Sequence, residues 1–193
     1  MRPLDVLESG LVSPRRFHLT EYHQLIDVGV LGEDERVELL EGVIVEMAPQ
    51  GRSRALVVSR LNRFLTRVLG EAFSVRPQLP LSLGEDSEPE PDLAVVTRQE
   101  EEAAKAHPGA ALLVVEVSEE SLRGDRLLKG RIYARARIPE YWVVDVAGQA
   151  VELYSEPDEE AGRYRTLRTL GMGETLTSQV LPELTLPVAG LFA

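Results

Sequence analysis

The 193-residue chain has no cysteine. Disulfides, zinc–thiolate sites and cysteine nucleophiles are thereby excluded. Lysine is nearly absent too: Lys105 and Lys129 stand alone among arginines. No stretch is apolar for long enough to span a bilayer, and MRPLDVLESGLVSPRRF at the start holds no apolar core of signal-peptide type. The expected location is therefore the cytoplasm, with no membrane partner. There is no Gly-rich phosphate loop and no Ser-His-Asp order, so ATPase and serine-hydrolase readings are poor. His18, His23 and His107 show no ligand spacing. Positive charge is scarce, with 21 Lys and Arg against 32 Asp and Glu, a net −11. That disfavours a simple electrostatic nucleic-acid binder, because neutralising phosphates takes clustered Lys and Arg. It does not disfavour an enzyme that gathers acids at a metal site and keeps a local basic lip.

What is present reads as globular: 44% apolar and 27% charged residues. The length suits one domain with a real core. Residues 1–16 read as a loose arm and 17–193 as a single domain. The spacing predicts a helix from Thr20, as cap, to about Val28. Strands flank a turn at Glu41-Gly42 within Arg36–Met47. A helix spans Ser53–Leu69, where Leu56, Leu61, Phe64, Leu65, Val68 and Leu69 recur at helical spacing. Val75–Leu83 alternates like a strand, with prolines that favour a sheet edge. A strand over Leu93–Val96 and a short helix over Glu100–Lys105 follow. The continuous apolar runs Ala111–Val117 and Tyr141–Val146 read as strands covered on both faces, joined by a helix over Ser121–Arg137. Ala150–Tyr154, Arg163–Leu170 and Glu174–Thr177 form an antiparallel meander, followed by a small closing strand. The class expected is α/β: a mixed central sheet flanked by helices, with an added C-terminal antiparallel meander.

Three features carry chemistry. Asp92 follows Pro91 at the start of a strand. Glu116 sits inside the apolar run LLVVEVS, where a carboxylate is costly unless it is paired or binds a cation. In the next helix Leu122, Asp125, Lys129, Ile132, Tyr133 and Ala136 share one stripe, which turns Asp125 and Lys129 toward the protein. Two carboxylates at adjacent strand ends suit Mg²⁺, which prefers oxygen ligands and keeps several waters. A metal there orients and activates a water. A neighbouring lysine steers or deprotonates that water, or stabilises the transition state.

Pro91-Asp92, followed about two dozen residues later by Glu116-Val117-Ser118, resembles the PD-(D/E)XK nuclease superfamily. More narrowly, VELLEGVIVEMAP (37–49), PEPDLAVV (89–96), LLVVEVSEES (112–121) and DRLLKGRIYARARIPEYWVVD (125–145) resemble the Uma-type family of restriction-endonuclease-like proteins. The likeness runs from about Thr20 to about Leu184. It implies a restriction-endonuclease-like fold and Mg²⁺, or Mn²⁺, held by Asp92, Glu116 and the backbone carbonyl of Val117. It also implies hydrolysis of phosphodiester bonds in DNA ahead of RNA. The superfamily lysine belongs at position 118, where this chain has Ser118; Lys129 fits a lysine moved to the neighbouring helix. Glu38 is a further candidate carboxylate, in competition with Glu41 and Glu46.

Blander roles stand beside these. Asp92 suits a turn cap, Glu116 a structural ion pair with an arginine, Asp125 and Lys129 an i,i+4 pair, and Ser118 a strand-end cap. Three functions follow: a metal-dependent endonuclease, a catalytically inactive binding or assembly module on the same fold, and a hydrolase of a small phosphate ester. Nucleases that cut both strands commonly pair about a two-fold axis, so a homodimer or higher homo-oligomer is expected.

Overall fold

The computed structural model describes residues 13–32, 34–119 and 121–193. Of the expected arm, residues 1–12 lie outside them. Helix α1 (Leu19–Asp27) has His18 rather than Thr20 as its cap. The Glu21 carboxylate accepts the His18 amide at 3.0 Å, a capping-box closure that starts the helix two residues earlier. Strands β1 (Val37–Leu40) and β2 (Val43–Glu46) pair antiparallel. Both residues of their turn are left-handed, Glu41 at φ 47° and Gly42 at φ 76°, as a two-residue hairpin requires. Helix α2 (Arg52–Leu69) buries Val57, Val58, Leu61, Leu65 and Leu69 on one stripe.

Strand β3 (Phe73–Pro77) stops well short of Leu83. Pro77 and Pro80 and a left-handed Gln78 (φ 51°) end the ladder and turn the chain into a long connection. After β4 (Leu93–Thr97) comes α3 (Arg98–Ala103), capped where the Thr97 hydroxyl accepts the Glu100 amide at 3.1 Å. Strand β5 (Leu113–Ser118) leads into a continuous helix made of α4 (Leu122–Gly124), a π-helical segment (Asp125–Lys129) and α5 (Gly130–Arg135). Strand β6 (Glu140–Asp145) follows, then β7 (Ala150–Asp158), β8 (Arg163–Leu170), β9 (Thr175–Thr177), β10 (Thr185–Pro187) and a final turn of helix, α6 (Ala189–Phe192).

Six strands form the central sheet in the order β3-β4-β5-β6-β7-β8. Only β5 and β6 run parallel, because the long helix carries the chain back between them. Strand β3 lies at an edge, as its prolines require. The expected C-terminal antiparallel strands are present: β7 and β8 widen the central sheet, while β9 and β10 pair separately.

Alternation along β4 and β5 sorts side chains to two faces. Leu93, Val95, Val115 and Val117 pack with α2 and the C-terminal residues Leu176, Leu184 and Leu191. Ala94, Val96 and Val114 pack with Ile132 and Tyr133 of α5 and with Leu40. The sheet is therefore covered on both sides, and the carboxylates inside it are buried.

The buried Glu140 pins the C-terminal part to this sheet. It accepts hydrogen bonds from the Trp142 indole, the Ser178 hydroxyl and the amides of Gln179 and Val180. Glu140→Ala strands these donors and should lower stability by about 3 kcal/mol in urea unfolding. A loss below about 1 kcal/mol would show that these bonds do not anchor the segment.

Candidate metal and active site

Asp92 and Glu116 are both 1% exposed. The β4–β5 ladder pairs Leu93 with Val115. One step further along the same register sets Asp92 opposite Glu116, and opposed residues of an antiparallel pair share a face. The two sequence-predicted carboxylates thus come together.

Each has its own partners. Asp92 receives Arg54 in bidentate fashion, Nε at 3.1 Å and Nη2 at 3.0 Å, and the Val117 amide at 2.8 Å. Val117 therefore meets Asp92 through its N–H. Glu116 receives the Lys129 ammonium at 3.0 Å and the Tyr133 hydroxyl at 2.8 Å, both on Oε1. Among the described residues none donates to the other oxygen, Oε2.

Lys129 also lies 3.1 Å from Glu38 of β1, and the same Glu38 oxygen accepts the Glu90 amide at 3.1 Å. Glu38 is thereby the N-terminal carboxylate that joins the site. Glu41 instead pairs with Arg131 and Arg135, and Glu46 is exposed. Asp125 does not pair with Lys129 as a simple i,i+4 bridge. Its carboxylate accepts the hydroxyls of Ser118 and Ser121. Ser118 ties the strand end to the helix through this bond.

The π-helical segment explains how the helix delivers both groups. Its i→i+5 bond from the Gly130 amide to the Asp125 carbonyl adds a residue to one turn. The Tyr141 hydroxyl donates to that carbonyl at 3.1 Å. Asp125 and Lys129 are both buried as a result. Apolar periodicity identified the stripe but carried no sign of the π turn.

Arg54 and the role of Tyr133 were not legible from the motif. Arg54 nonetheless stands three, four and seven residues before Val57, Val58 and Leu61. An arginine on the buried stripe of a helix needs an acid inside, and that spacing is the signal that identifies it.

Four carboxylates (Glu38, Asp92, Glu116, Asp125) face two cations (Arg54, Lys129) here. Burial, aided by the repulsion of Asp125, Asp92 and Glu38, pushes the Glu116 carboxyl up to about 8 against the attraction of Lys129. Burial by itself would lower Lys129, but Glu116, Glu38 and Asp125 outweigh it and hold the ammonium above its ordinary range. Lys129 therefore stays charged. Burial and the nearby Glu38 also raise Glu90.

A cleft of about 200 Å³ opens over this network, lined among others by Glu38, Glu46, Arg54, Asp125 and Lys129. A neighbouring cleft of about 280 Å³ shares Arg54 and Ser121 and adds Gly51 and Glu119. Among the described residues no three acidic or histidine side chains form a ready metal cage. A pair is enough for Mg²⁺, which is usually held by one or two carboxylates, waters and substrate phosphate rather than by a cage of protein ligands. Hard oxygen donors, four carboxylates against two cations, and a Glu116 Oε2 with no donor among the described residues fit such an ion.

The surplus charge predicts a pH signature without metal. Glu116 has an ordinary value of 4.5 in the unfolded chain and about 8 in the folded one. The folded state therefore binds more protons between these values, and stability falls as pH rises through that window. Urea unfolding in EDTA should show Glu116→Gln losing less stability than wild type over this range. Equal slopes would contradict the upward displacement of Glu116.

The model of the family described as "Uma2: Putative restriction endonuclease" matches residues 19–189. A search of curated proteins found no match. A solved structure titled as "a putative nuclease belonging to DUF820" from Anabaena variabilis ATCC 29413 is similar in fold. Its TM-score is 0.69 at 16% identity, and the likeness covers 91% of this chain and 97% of that one. No helix among the described residues is long and apolar enough to cross a membrane. With the family model matching most of its length, the chain belongs to the Uma2 restriction-endonuclease-like family.

Proposed function

We propose that the chain is a Mg²⁺-dependent endonuclease, able to use Mn²⁺, that hydrolyses phosphodiester bonds in DNA. The observation that carries this reading is the opposed, buried pair of Asp92 and Glu116, with a permanently charged lysine on one oxygen of Glu116 and no described donor on the other. Asp92, Glu116 through Oε2, and the Val117 carbonyl are the groups that would hold the ion. When bound, it would supply an activated water and a Lewis-acid contact to the phosphate.

The chain's own residues do the rest. Lys129 keeps its proton, so it stabilises the negative charge that develops on the phosphate rather than acting as the base. Glu38 holds the ammonium from a second side, and Tyr133 fixes the orientation of Glu116. Arg54, bidentate on Asp92 and on the cleft wall, fixes the orientation of that carboxylate. In this scheme Lys129 fills the role of the lysine absent at position 118. A two-fold dimer would present two such sites to the two strands of a duplex.

A second reading is a nuclease fold that binds without cutting. It is favoured by the engagement of Ser118 with Asp125 and of Asp92 with Arg54. Incubation of supercoiled plasmid and single-stranded DNA with Mg²⁺ or Mn²⁺ separates the two. Wild type should cut, and Asp92→Ala and Lys129→Ala should each lose about 100-fold or more. Unchanged cutting by Asp92→Ala would refute the site. Absence of cutting by wild type with either metal would favour the non-catalytic reading.

A further inference from the structure

The chain is strongly acidic, yet Met47–Gly70 contains five arginines and not one Asp or Glu. Almost all of that segment is α2. One of the five, Arg54, points into the candidate site. The others are Arg52, Arg60, Arg63 and Arg67.

At about 100° per residue, Arg52 and Arg63 are three turns apart and within about 20° of the same direction, and Arg67 and Arg60 fall within about 80° of Arg52. This arc is opposite the stripe of Val57, Val58, Leu61 and Leu65 that meets the sheet. Arg52, Arg63 and Arg67 are exposed, and Arg60 is half-buried with its guanidinium on the Leu191 carbonyl at 2.9 Å. Among the described residues none of the four has a carboxylate partner, whereas Arg98, Arg126, Arg131, Arg137 and Arg165 all do.

Helix stability does not ask for this arrangement. Arginines at the first and third positions of α2 oppose the helix dipole, and no acid sits in its first turn to favour it. Four aligned cations without a carboxylate partner among the described residues, in a chain of net −11, create a local positive track about 22 Å long on an otherwise acidic molecule. The track begins beside Gly51 of the neighbouring cleft and Arg54, which lines both that cleft and the one over the candidate site. Charge of this kind, held in the planar forks of arginine, suits a row of phosphates.

We infer that the outward face of α2 is the surface that holds the phosphodiester backbone of nucleic acid and leads it to the cleft. The inference rests on the proposed nuclease reading only for where the strand goes next. It assigns the basic lip, which the net charge hides, to one element.

The test is fluorescence anisotropy with a labelled duplex in EDTA, where binding is read without cleavage. Arg63→Gln/Arg67→Gln should weaken binding at least tenfold. It should also flatten the dependence of log affinity on log salt by about 1.8, from about 0.9 per lost phosphate contact. Arg163→Gln/Arg168→Gln, two exposed arginines on β8, should bind as wild type. Single-stranded DNA and RNA serve as parallel probes, and a loss on any nucleic acid confined to the α2 variant supports the track. Equal binding by the α2 variant, an equal loss in the β8 variant, or binding only to anionic phosphatidylglycerol vesicles overturns it. The two readings fail separately. Metal-dependent cutting that is indifferent to Arg63 and Arg67 removes the track and leaves the nuclease. Binding through the track with no cutting does the reverse.

Discussion

Negative charge in excess of its internal partners, buried between a sheet and a helix, is the constraint on which the site depends. Glu38, Asp92, Glu116 and Asp125 share the neutralisation that Arg54 and Lys129 provide. Removing such groups from water costs several kcal/mol each unless charge and hydrogen bonds are supplied. Two serine hydroxyls serve Asp125, a tyrosine and a lysine serve Glu116, and an amide and a guanidinium serve Asp92. The remaining imbalance is relieved by a proton on Glu116 or by a cation. A scaffold selected for stability alone would place apolar residues here.

The surrounding fold serves this arrangement. Strand register sets Asp92 against Glu116. The π turn, supported by the Tyr141 hydroxyl, sends both Asp125 and Lys129 inward. The β1–β2 hairpin brings Glu38 to Lys129 and is itself fixed by the Glu88 amide on the Leu39 carbonyl at 2.7 Å. The contributors come from the β1–β2 hairpin, α2, the start of β4, β5 and the helix after it, so no isolated fragment can form the network.

Much of this was legible in the sequence because burial leaves periodic marks. The apolar runs around Glu116 and Trp142 identified the central strands, and the stripe from Leu122 to Ala136 turned Lys129 inward. The two carboxylates followed from the Pro91-Asp92 and Glu116-Val117-Ser118 spacing. Other features left no such mark. The π turn has the same composition as an α turn. The end of β3 at Pro77 depends on a left-handed Gln78 that alternation does not reveal. Arg54 is one of five arginines between Met47 and Gly70, and only its position on the buried stripe distinguishes it. Glu38 was separable from Glu41 and Glu46 only by tertiary contacts, since all three lie in the same hairpin.

The basic helix and the acidic site are complementary parts of one electrostatic design. Acids collect where a cation neutralises them, and four arginines without a described carboxylate partner collect on α2, whose Arg54 lines the cleft. The central claim is that the buried pair of Asp92 and Glu116 binds a divalent ion. Calorimetric titration of the metal-free protein with Mn²⁺ tests it most directly. Saturable binding in wild type that disappears in Asp92→Asn is the result predicted. No saturable binding in wild type, or the same binding in Asp92→Asn, would contradict it.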